Sequence, residues 1–533
     1  MSLLRSKSIG VLKGTTGFNP WGTIFSDSVV KDFLVKYILA IDQGTTGSRA
    51  IIYDKNGNCA ASAYREFRQY FPKPGWVEHN PAEIWDSVNH SIQEALREIP
   101  SGSISAIGIT NQRETTVIWD RHTGKPIYNA IVWQCRRTAG RCSQLKKNRQ
   151  FTGYTAEKTG LPVDAYFSAT KIEWILNNVP GARKKAEEGR LCFGNTDSWV
   201  LWKLTGGKCH ATDFTNASRT MIFDINSLRW DKKLLKEFHI PEKMLPEVKP
   251  SSGVFGYTAA LGNLRRGIPV SGIAGDQQSA LFGQACFEQG TMKNTYGTGG
   301  FILLNTGSRK PVSKNGLIVT LGCGIENKPV YVLEGSVFIA GAAIQWLRDG
   351  LKIIKASSES EKMALSLADN EGIYFVPALA GLGAPYWDQD ARGAFFGITR
   401  GTSRAHFVRA ALESICYQTR DVIEAMQKDT GMKIKELRID GGASKNNFLC
   451  QFQADILGIK VIRPKITETT SLGAAYLAGL STGYWKNTGE IKKFWKQDKV
   501  FYPKMPQKDR DRYYSGWLNA VKRVLSNIFV SSP

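Results

Sequence analysis

The chain has 533 residues, which exceeds the size of one hydrophobic core and predicts two domains. With 42% hydrophobic and 22% charged residues it has the composition of a soluble globular protein, and no apolar stretch reaches the length of a bilayer span. The net charge of +23 leaves two interpretations open, a nucleic-acid or anionic-membrane partner or a basic surface suited to an anionic substrate. Because the basic residues are spread along the chain and no nucleic-acid motif accompanies them, we do not expect nucleic acid as a partner.

The nine cysteines and six histidines show neither a disulfide framework nor the spacing of a zinc site. We therefore expect free thiols in a reducing compartment. The first 26 residues contain three basic residues and no acidic one, which fits a mitochondrial or plastid transit peptide or a disordered extension without an address. We place this extension outside the fold.

The predicted elements begin with three strands, at 37–41, 49–53 and 59–64, joined by glycine-containing turns. A helix opens at Pro81, and a further strand follows at 104–110. Three strands, a helix and another strand predict a mixed sheet with helices packed on it.

A similar order returns in the second half of the chain. A strand at 290–295, a Gly/Thr turn and a strand at 301–304 come first, and a strand at 436–439 leads into a polar turn and an amphipathic helix. The shared pattern predicts two halves of related architecture whose turns line a common cleft.

The first turn follows a buried strand that ends in Asp42, and it reads Gly-Thr-Thr-Gly from Gly44 to Gly47. Such turns present backbone donors that hold phosphate oxygens. A carboxylate beside them favours an intervening Mg²⁺, and Arg49 adds positive charge nearby. The alternative is an ordinary hairpin.

The second turn, at residues 296–300, reads Tyr-Gly-Thr-Gly-Gly. One such turn in each half predicts a nucleoside triphosphate held between two domains. The chain has no GxxxxGK[ST] loop and no complete GxGxxG fingerprint, so any ATP site is of another type.

Two further polar stretches are candidates for chemistry. Asp276 lies between a strand predicted at 268–270 and a helix predicted at 279–283, where a carboxylate is either a general base or a helix N-cap. Arg113 and Glu114 follow the strand at 104–110, and they form either a polyol-binding pair or a surface ion pair.

Many separate motifs from about residue 37 to residue 522 resemble the glycerol kinase family, in the same order along the chain. They read IDQGTT (41–46), KPGWVEHNP (73–81), GITNQRETT (108–116), NAIVWQCRRT (129–138), TNASRTM (215–221), GIAGDQQSALFGQ (272–284), KNTYGTG (293–299), GAPYWDQDARG (383–393) and ETTSLGAAYLAG (468–479). The stretch YFSATKIEW (166–174) resembles the signature of the wider carbohydrate-kinase family called FGGY.

The resemblance implies an α/β fold of two ribonuclease-H-like domains, arranged as in actin and the heat-shock chaperone ATPases, with a nucleotide cleft between them. We place an N-terminal extension at 1–36, the two kinase domains at 37–285 and 286–522, and a tail at 523–533. The implied activity is the ATP-dependent phosphorylation of glycerol to sn-glycerol 3-phosphate, with Mg²⁺.

The resemblance also implies the site residues. Asp276 corresponds to the catalytic base and Asp42 to the carboxylate that positions Mg²⁺. The polyol-binding positions, including aromatic walls, are Arg113, Glu114, Trp133, Tyr166, Asp276, Gln277 and Phe301. The nucleotide-binding positions are Thr45, Thr46, Gly47, Arg49, Thr298, Gly341, Gln345, Gly442 and Asn446.

The sequence departs from the family at two of its motifs. Gly47 stands where many relatives have serine, and Gly300 stands where relatives often have cysteine. Glycine at the first position keeps the backbone donor of the turn and loses a hydroxyl.

Two other functions stay open at this point, a kinase for another polyol or sugar and a non-catalytic actin-like ATP-binding protein. We expect glycerol and ATP or ADP as ligands, and a homo-oligomer, dimer or tetramer. We expect a cytoplasmic location, and the N-terminal extension leaves organelle targeting open.

Overall fold

The computed structural model describes residues 35–325 and 328–526. Residues 1–34 of the predicted extension and 527–533 of the predicted tail lie outside this part of the chain. The strands are β1 Tyr37–Gln43, β2 Gly47–Tyr53, β3 Cys59–Glu66, β4 Gln69–Tyr70, β5 Glu78–His79, β6 Ile104–Asn111, β7 Val117–Asp120, β8 Ala130–Ile131, β9 Leu191–Gly194, β10 Ala211–Asp213, β11 Phe223–Asp224, β12 Arg229–Trp230, β13 Glu247–Lys249, β14 Ser252–Tyr257, β15 Pro269–Gly275, β16 Met292–Tyr296, β17 Gly300–Gly307, β18 Ile318–Leu321, β19 Tyr331–Val337, β20 Tyr374–Val376, β21 Ala394–Phe396, β22 Glu436–Asp440, β23 Lys460–Pro464 and β24 Gln497–Phe501. The helices are α1 Pro81–Ala95, α2 Ala139–Lys146, α3 Arg149–Thr159, α4 Ser168–Asn178, α5 Ala182–Glu187, α6 Thr196–Leu204, α7 Phe214–Ala217, α8 Lys232–Glu237, α9 Asp276–Gly283, α10 Gly341–Asp349, α11 Glu359–Leu365, α12 Arg404–Thr430, α13 Asn447–Leu457, α14 Thr469–Ser481, α15 Thr488–Phe494 and α16 Gln507–Lys522.

The first sheet has the strand order β14-β15-β6-β1-β2-β3. Strands β1, β6 and β15 are parallel, and β2 and β3 continue the sheet antiparallel on one side. Because the parallel strands run in one direction, their carboxyl ends share one edge. Three residues lie at that edge: Asp42 is the next-to-last residue of β1, Asn111 is the last residue of β6, and Gly275 is the last residue of β15.

The second sheet repeats this topology, with the order β18-β19-β17-β16-β22-β23-β24. Strands β16, β22 and β23 are parallel, β17 and β19 extend one side antiparallel, and β24 closes the other side. This order matches that of the first sheet strand for strand, with β18 added at one edge. The predicted relation between the two halves is therefore present in the fold.

Helix α14 belongs to the second half of the chain, yet it packs on β1, β6 and β15 of the first sheet and on α9. Its composition, TTSLGAAYLAGLS, explains the close contact. A Cβ on Gly473 would lie 1.9 Å from the carbonyl oxygen of Ser279, and one on Gly108 would lie 2.1 Å from that of Ala474. The two domains are thus joined by a tightly packed helix and not only by the chain between them. The boundary that we place between residues 285 and 286 stays a prediction.

Strand β15 is longer than predicted. The expected strand at 268–270 continues to Gly275, and the helix begins at Asp276 and not at Ser279. The segment Val270–Gly275 is almost entirely buried between β6 and β14, so small residues that read as a turn form a strand between neighbours.

The nine cysteines are all free. Among the described residues, no helix combines the length and apolar character that a membrane crossing requires.

Candidate active site

The first glycine turn connects β1 to β2 at the shared edge of the first sheet. The Gly44 N–H donates to the carbonyl of Gly47 at 2.9 Å and closes the turn. The Thr45 carbonyl accepts a hydrogen bond from Gln69 Nε2 at 2.8 Å, and the Thr45 hydroxyl accepts one from Trp133 Nε1 at 3.1 Å. Thr46 is exposed at the tip. Hydrogen bonds from Gln69 and Trp133 hold the turn in place. Thr45, predicted to bind phosphate, therefore contacts Trp133, predicted to bind glycerol.

The pKa of Asp42, which lies just before this turn, is strongly raised. Burial raises its pKa to about 7; the Arg49 charge lowers this pKa, and the charges of Asp276 and Glu468 raise it. Arg49 lies opposite Asp42 in the β1–β2 ladder, and its side chain forms an ion pair with Glu468. Asp42, the carboxylate predicted to position Mg²⁺, and Asp276, the predicted base, therefore repel each other, and a cation between them would relieve this repulsion.

The second turn packs on the amino end of α10. Residues Ala340 and Ala342 donate backbone N–H groups to the Thr298 carbonyl at 2.9 and 3.1 Å, and Gly341 donates to the Gly297 carbonyl at 3.0 Å. A Cβ on Gly341 would lie 2.6 Å from that Gly297 oxygen. Glycine at 341 is required by this close approach, and the Thr298 side chain stays at an exposed position.

The remaining predicted nucleotide-binding residues lie in the second half of the chain, on α10 and just before α13. Gln345 is exposed on α10. Nothing lies within 4 Å of a Cβ built on Gly442, so this backbone is open to a ligand. Asn446 caps α13 by accepting from the Leu449 N–H at 3.0 Å, and its amide donates to Ser360 Oγ at 3.2 Å.

Arg113 lies at the centre of the predicted glycerol site and is only 3% exposed. Its Nη2 donates to Glu334 Oε1 at 3.1 Å, its Nη1 to Gln278 Oε1 at 3.1 Å, and its Nε lies 3.1 Å from Asp276 Oδ1. Burial disfavours the charge of Glu334, but the guanidinium groups of Arg113 and Arg219 lower the pKa of this carboxyl to about 2. The alternative of a surface ion pair is therefore wrong.

Glu114 does not form its main ion pair with its neighbour in sequence. Its carboxylate pairs with Arg219, and its Oε1 is 4.0 Å from Arg113 Nε. Glu114 has a φ of 59°, a backbone conformation unusual for a non-glycine residue, and it is 1% exposed. Such strain persists where surrounding structure fixes it, and it is common at functional sites.

Asp276 begins α9, and Gly275 occupies the N-cap position. The carboxylate accepts from the Gln277 N–H at 2.7 Å and from Gln277 Nε2 at 3.0 Å. Its side chain is 32% exposed, so it is oriented by the protein and open to a substrate. The N-cap alternative does not describe this residue.

Three aromatic residues border the same space. The rings of Trp133 and Tyr166 meet edge to face with centroids 5.7 Å apart, and the Phe301 centroid lies 6.0 Å from the Arg113 guanidinium. All three rings are partly exposed. The structure thus brings every predicted polyol-binding residue to one region.

Three buried charged residues of this region are not predicted from the sequence. Arg219 and Glu334 complete the charge network around Arg113 and Glu114, and Lys293 donates to Gln277 Oε1 at 2.6 Å. Arg219 and Lys293 lie within motifs that carry the family resemblance. Glu334 lies in the apolar strand YVLEGSV, where an isolated charge was the available signal.

Within residues 35–325 and 328–526, no group of three His, Cys, Asp or Glu side chains forms a metal cage. Mg²⁺ does not need such a cage, because it keeps several waters and binds one or two carboxylates with substrate phosphates. Asp42, beside the turn predicted to bind phosphate and repelled by Asp276, fits this kind of site.

The duplicated sheets, each with a glycine turn after its first parallel strand, define the class of two-domain α/β proteins with the actin-like arrangement. The chain belongs to the FGGY family of carbohydrate kinases, since the N-terminal domain of that family matches residues 37–283 and its C-terminal domain matches 292–482. Curated relatives include glycerol kinase of Fusobacterium nucleatum, 58% identical over 92% of this chain and 99% of the relative, and glycerol kinase of Caldanaerobacter subterraneus, 59% identical over the same shares.

Solved structures agree with this assignment. The structure of Plasmodium falciparum glycerol kinase with ADP matches with a TM-score of 0.87 and 40% identity, covering 92% of this chain and 98% of that chain. Xylulose kinase of Lactobacillus acidophilus matches with a TM-score of 0.82 but only 24% identity, which shows the shared fold.

Proposed function

We propose that this protein is a glycerol kinase that transfers the γ-phosphoryl group of ATP to glycerol and yields sn-glycerol 3-phosphate. The observation that carries the proposal is the cluster in which Arg113, Glu114, Asp276 and Gln277 meet three aromatic rings. A triol presents three hydroxyls and an apolar carbon edge, and this combination of polar groups and rings matches both. The curated relatives named glycerol kinase support the choice of substrate.

Asp276 is the proposed base. Its carboxylate is oriented by Arg113 and Gln277 and is open to the pocket, so it can accept the proton of the attacking glycerol hydroxyl. Most of the rate enhancement then comes from holding the hydroxyl and the γ-phosphorus in line and from neutralising charge.

The donor is proposed to lie across the cleft. The turn with Thr45, Thr46 and Gly47 holds the phosphates beside Arg49. The second-domain residues Thr298, Gly341, Gln345, Gly442 and Asn446 hold the rest of the nucleotide. Asp42 would hold Mg²⁺, which when bound neutralises charge on the phosphate oxygens.

The test is an assay of ADP release over a panel of polyols and sugars with the full chain. Strict dependence on glycerol is the expected result. Turnover with xylulose and none with glycerol would assign the protein to another branch of the family. ATP binding with no acceptor-dependent turnover would favour a non-catalytic ATP-binding protein. An oligomeric state of dimer or tetramer remains a prediction for the same preparation.

Asp276→Asn tests the mechanism. Loss of the base should lower kcat by about 10²–10⁴-fold, while the affinity for ADP stays unchanged because the nucleotide turns are untouched. The matched control is Asp86→Asn, an exposed position on α1. Turnover by Asp276→Asn close to that of the control would exclude Asp276 as the base.

A further inference from the structure

A row of three residues crosses the second sheet and faces the first domain. In the ladder, Leu303 of β17 is the partner of Lys293 on β16 and of Glu334 on β19. Directly opposed residues point to the same face of a sheet. Leu303 clusters with Leu281 and Cys286, which lie in and just after α9, so this face packs against the helix that starts with Asp276.

Glu334 is completely buried and reaches across the domain boundary. Both of its carboxylate oxygens interact with Arg113, and Oε1 also lies 3.2 Å from Arg219 Nη2. The two arginines lie in the first domain. A bidentate carboxylate fixes the plane of a guanidinium group as well as its position. The orientation of Arg113 in the glycerol pocket is therefore set by a residue of the second domain.

Lys293 is also completely buried. Its ammonium donates to Gln277 Oε1 at 2.6 Å and to Thr295 Oγ1 at 2.8 Å. The other end of the Gln277 amide, Nε2, donates to Asp276 Oδ2 at 3.0 Å. Because an amide has one acceptor end and one donor end, the lysine decides which end of Gln277 faces the carboxylate.

We propose that Lys293 and Glu334 are positioning residues, which assemble the acceptor site from the second domain by orienting Gln277 and Arg113. The inference rests on the proposed function only for the identity of the acceptor. Neither residue needs to touch the substrate. Both are buried charges in sheet interiors, which are unfavourable unless paired, and their partners here are predicted substrate ligands.

The consequence is that the acceptor site is complete only while the two sheets hold their mutual arrangement. The strand of Lys293 leads directly into the second glycine turn, at Tyr296. If the second sheet moves relative to the first, the displacement is transmitted to Asp276 through Lys293 and Gln277.

The experiment compares Glu334→Gln and Lys293→Met with the wild-type full chain. We expect Glu334→Gln to raise the KM for glycerol roughly tenfold or more, since a charged hydrogen bond to Arg113 is lost. We expect Lys293→Met to lower kcat by roughly 10²-fold, because Asp276 loses its orientation. The KM for ATP should change little in either variant.

Double variants test whether each residue acts through its partner. Adding Glu334→Gln to Arg113→Ala, or Lys293→Met to Gln277→Ala, should produce almost no further loss. Additive losses in both pairs would overturn the proposal. The matched control is Glu413→Gln, since Glu413 is a buried glutamate of the same domain that pairs with Arg409 at 2.7 Å and contacts no acceptor residue.

Hydrogen exchange gives a readout that does not depend on the substrate. Amides of residues 275–278 should exchange faster in Lys293→Met and Glu334→Gln than in wild type or Glu413→Gln. Unchanged exchange there together with unchanged glycerol kinetics would refute the positioning role. A wild-type protein that fails to phosphorylate glycerol would refute the proposed function, and the exchange result would still decide the positioning role.

Discussion

Gly47 shows how one residue adapts the first turn to this chain. A Cβ at this position would lie 2.5 Å from Tyr64 Oη and 2.7 Å from the Arg65 carbonyl oxygen. The Tyr64 hydroxyl also lies 3.4 Å from the Thr46 hydroxyl. The space that a serine side chain would need is thus occupied by β3, and a neighbouring hydroxyl already lies close to the turn.

Gly47→Ser should therefore destabilise the protein by about 1–3 kcal/mol, because it overpacks the β2–β3 contact. Urea denaturation measures this loss. The matched control is Gly102→Ser, since nothing lies within 4 Å of a Cβ built there.

Adding Tyr64→Ala should recover only part of the loss caused by Gly47→Ser. The ring can be removed, whereas the Arg65 carbonyl belongs to the backbone and stays in place. Equal stability of Gly47→Ser and Gly102→Ser would contradict this account of the turn.

At the level of secondary-structure elements, the contact between α12 and α16 depends on a buried acid. Asp421 of α12 accepts from the Tyr514 hydroxyl at 2.6 Å and from Trp517 Nε1 at 2.9 Å, both on α16. Burial raises the pKa of Asp421 to about 7, although these hydrogen bonds lower it. The folded state therefore binds a proton that the unfolded chain has released above pH 4.

The sign of the pH effect follows from this raised pKa. The contribution of Asp421 to stability is largest below pH 4 and is lost as the pH rises toward 7. Asp421→Asn cannot ionise, so the stability difference between pH 5 and pH 8 should shrink by about 2 kcal/mol relative to wild type. Urea denaturation at both pH values measures it, with Asp86→Asn as the control. If the stability difference between pH 5 and pH 8 is as large in Asp421→Asn as in wild type, another group causes the loss of stability with rising pH.

The position of helix α14 is not predictable from the sequence. Its motif resembles that of the family, but the motif does not indicate that the helix contacts the sheet of the other domain. Glycine and alanine on a helix permit close packing, but they do not indicate which element the helix packs against. Only the approach of Gly473 to Ser279 and of Gly108 to Ala474 identifies the partner.

At the level of the whole molecule, the two sheets are built from residue 37 onward. Lys36 contributes a backbone contact, because its carbonyl accepts from the Tyr484 hydroxyl at 2.6 Å. We predict that a chain lacking residues 1–34 keeps kcat and thermal stability close to those of the full chain.

Steady-state kinetics and thermal unfolding of the shortened chain test this prediction. Tyr484→Phe in the full chain is the control, because it removes the Lys36 contact and keeps the extension. A shortened chain that unfolds at a clearly lower temperature than the full chain would show that the extension supports the fold.

Much of the architecture and of the candidate site was predictable from the sequence. The strand endings at Asp42 and Asn111 and the glycine turns are local features, because turn geometry and buried strands depend on neighbouring residues. The end of β15 was not predictable in this way, since SGIAG is extended only because β6 and β14 pair with it.

The duplicated order of strands and turns, the two candidate phosphate turns and the family motifs can all be read from the sequence. The pairing of the buried charges depends on the folded arrangement of the two sheets. Arg113 and Glu114 are adjacent in the chain, yet their main partners are Glu334 and Arg219, far away in sequence. Local sequence patterns indicate backbone conformation and burial. The partner of a buried charge depends on which opposite charge lies close to it and how far both are removed from water, and these are defined only after the two sheets have packed together.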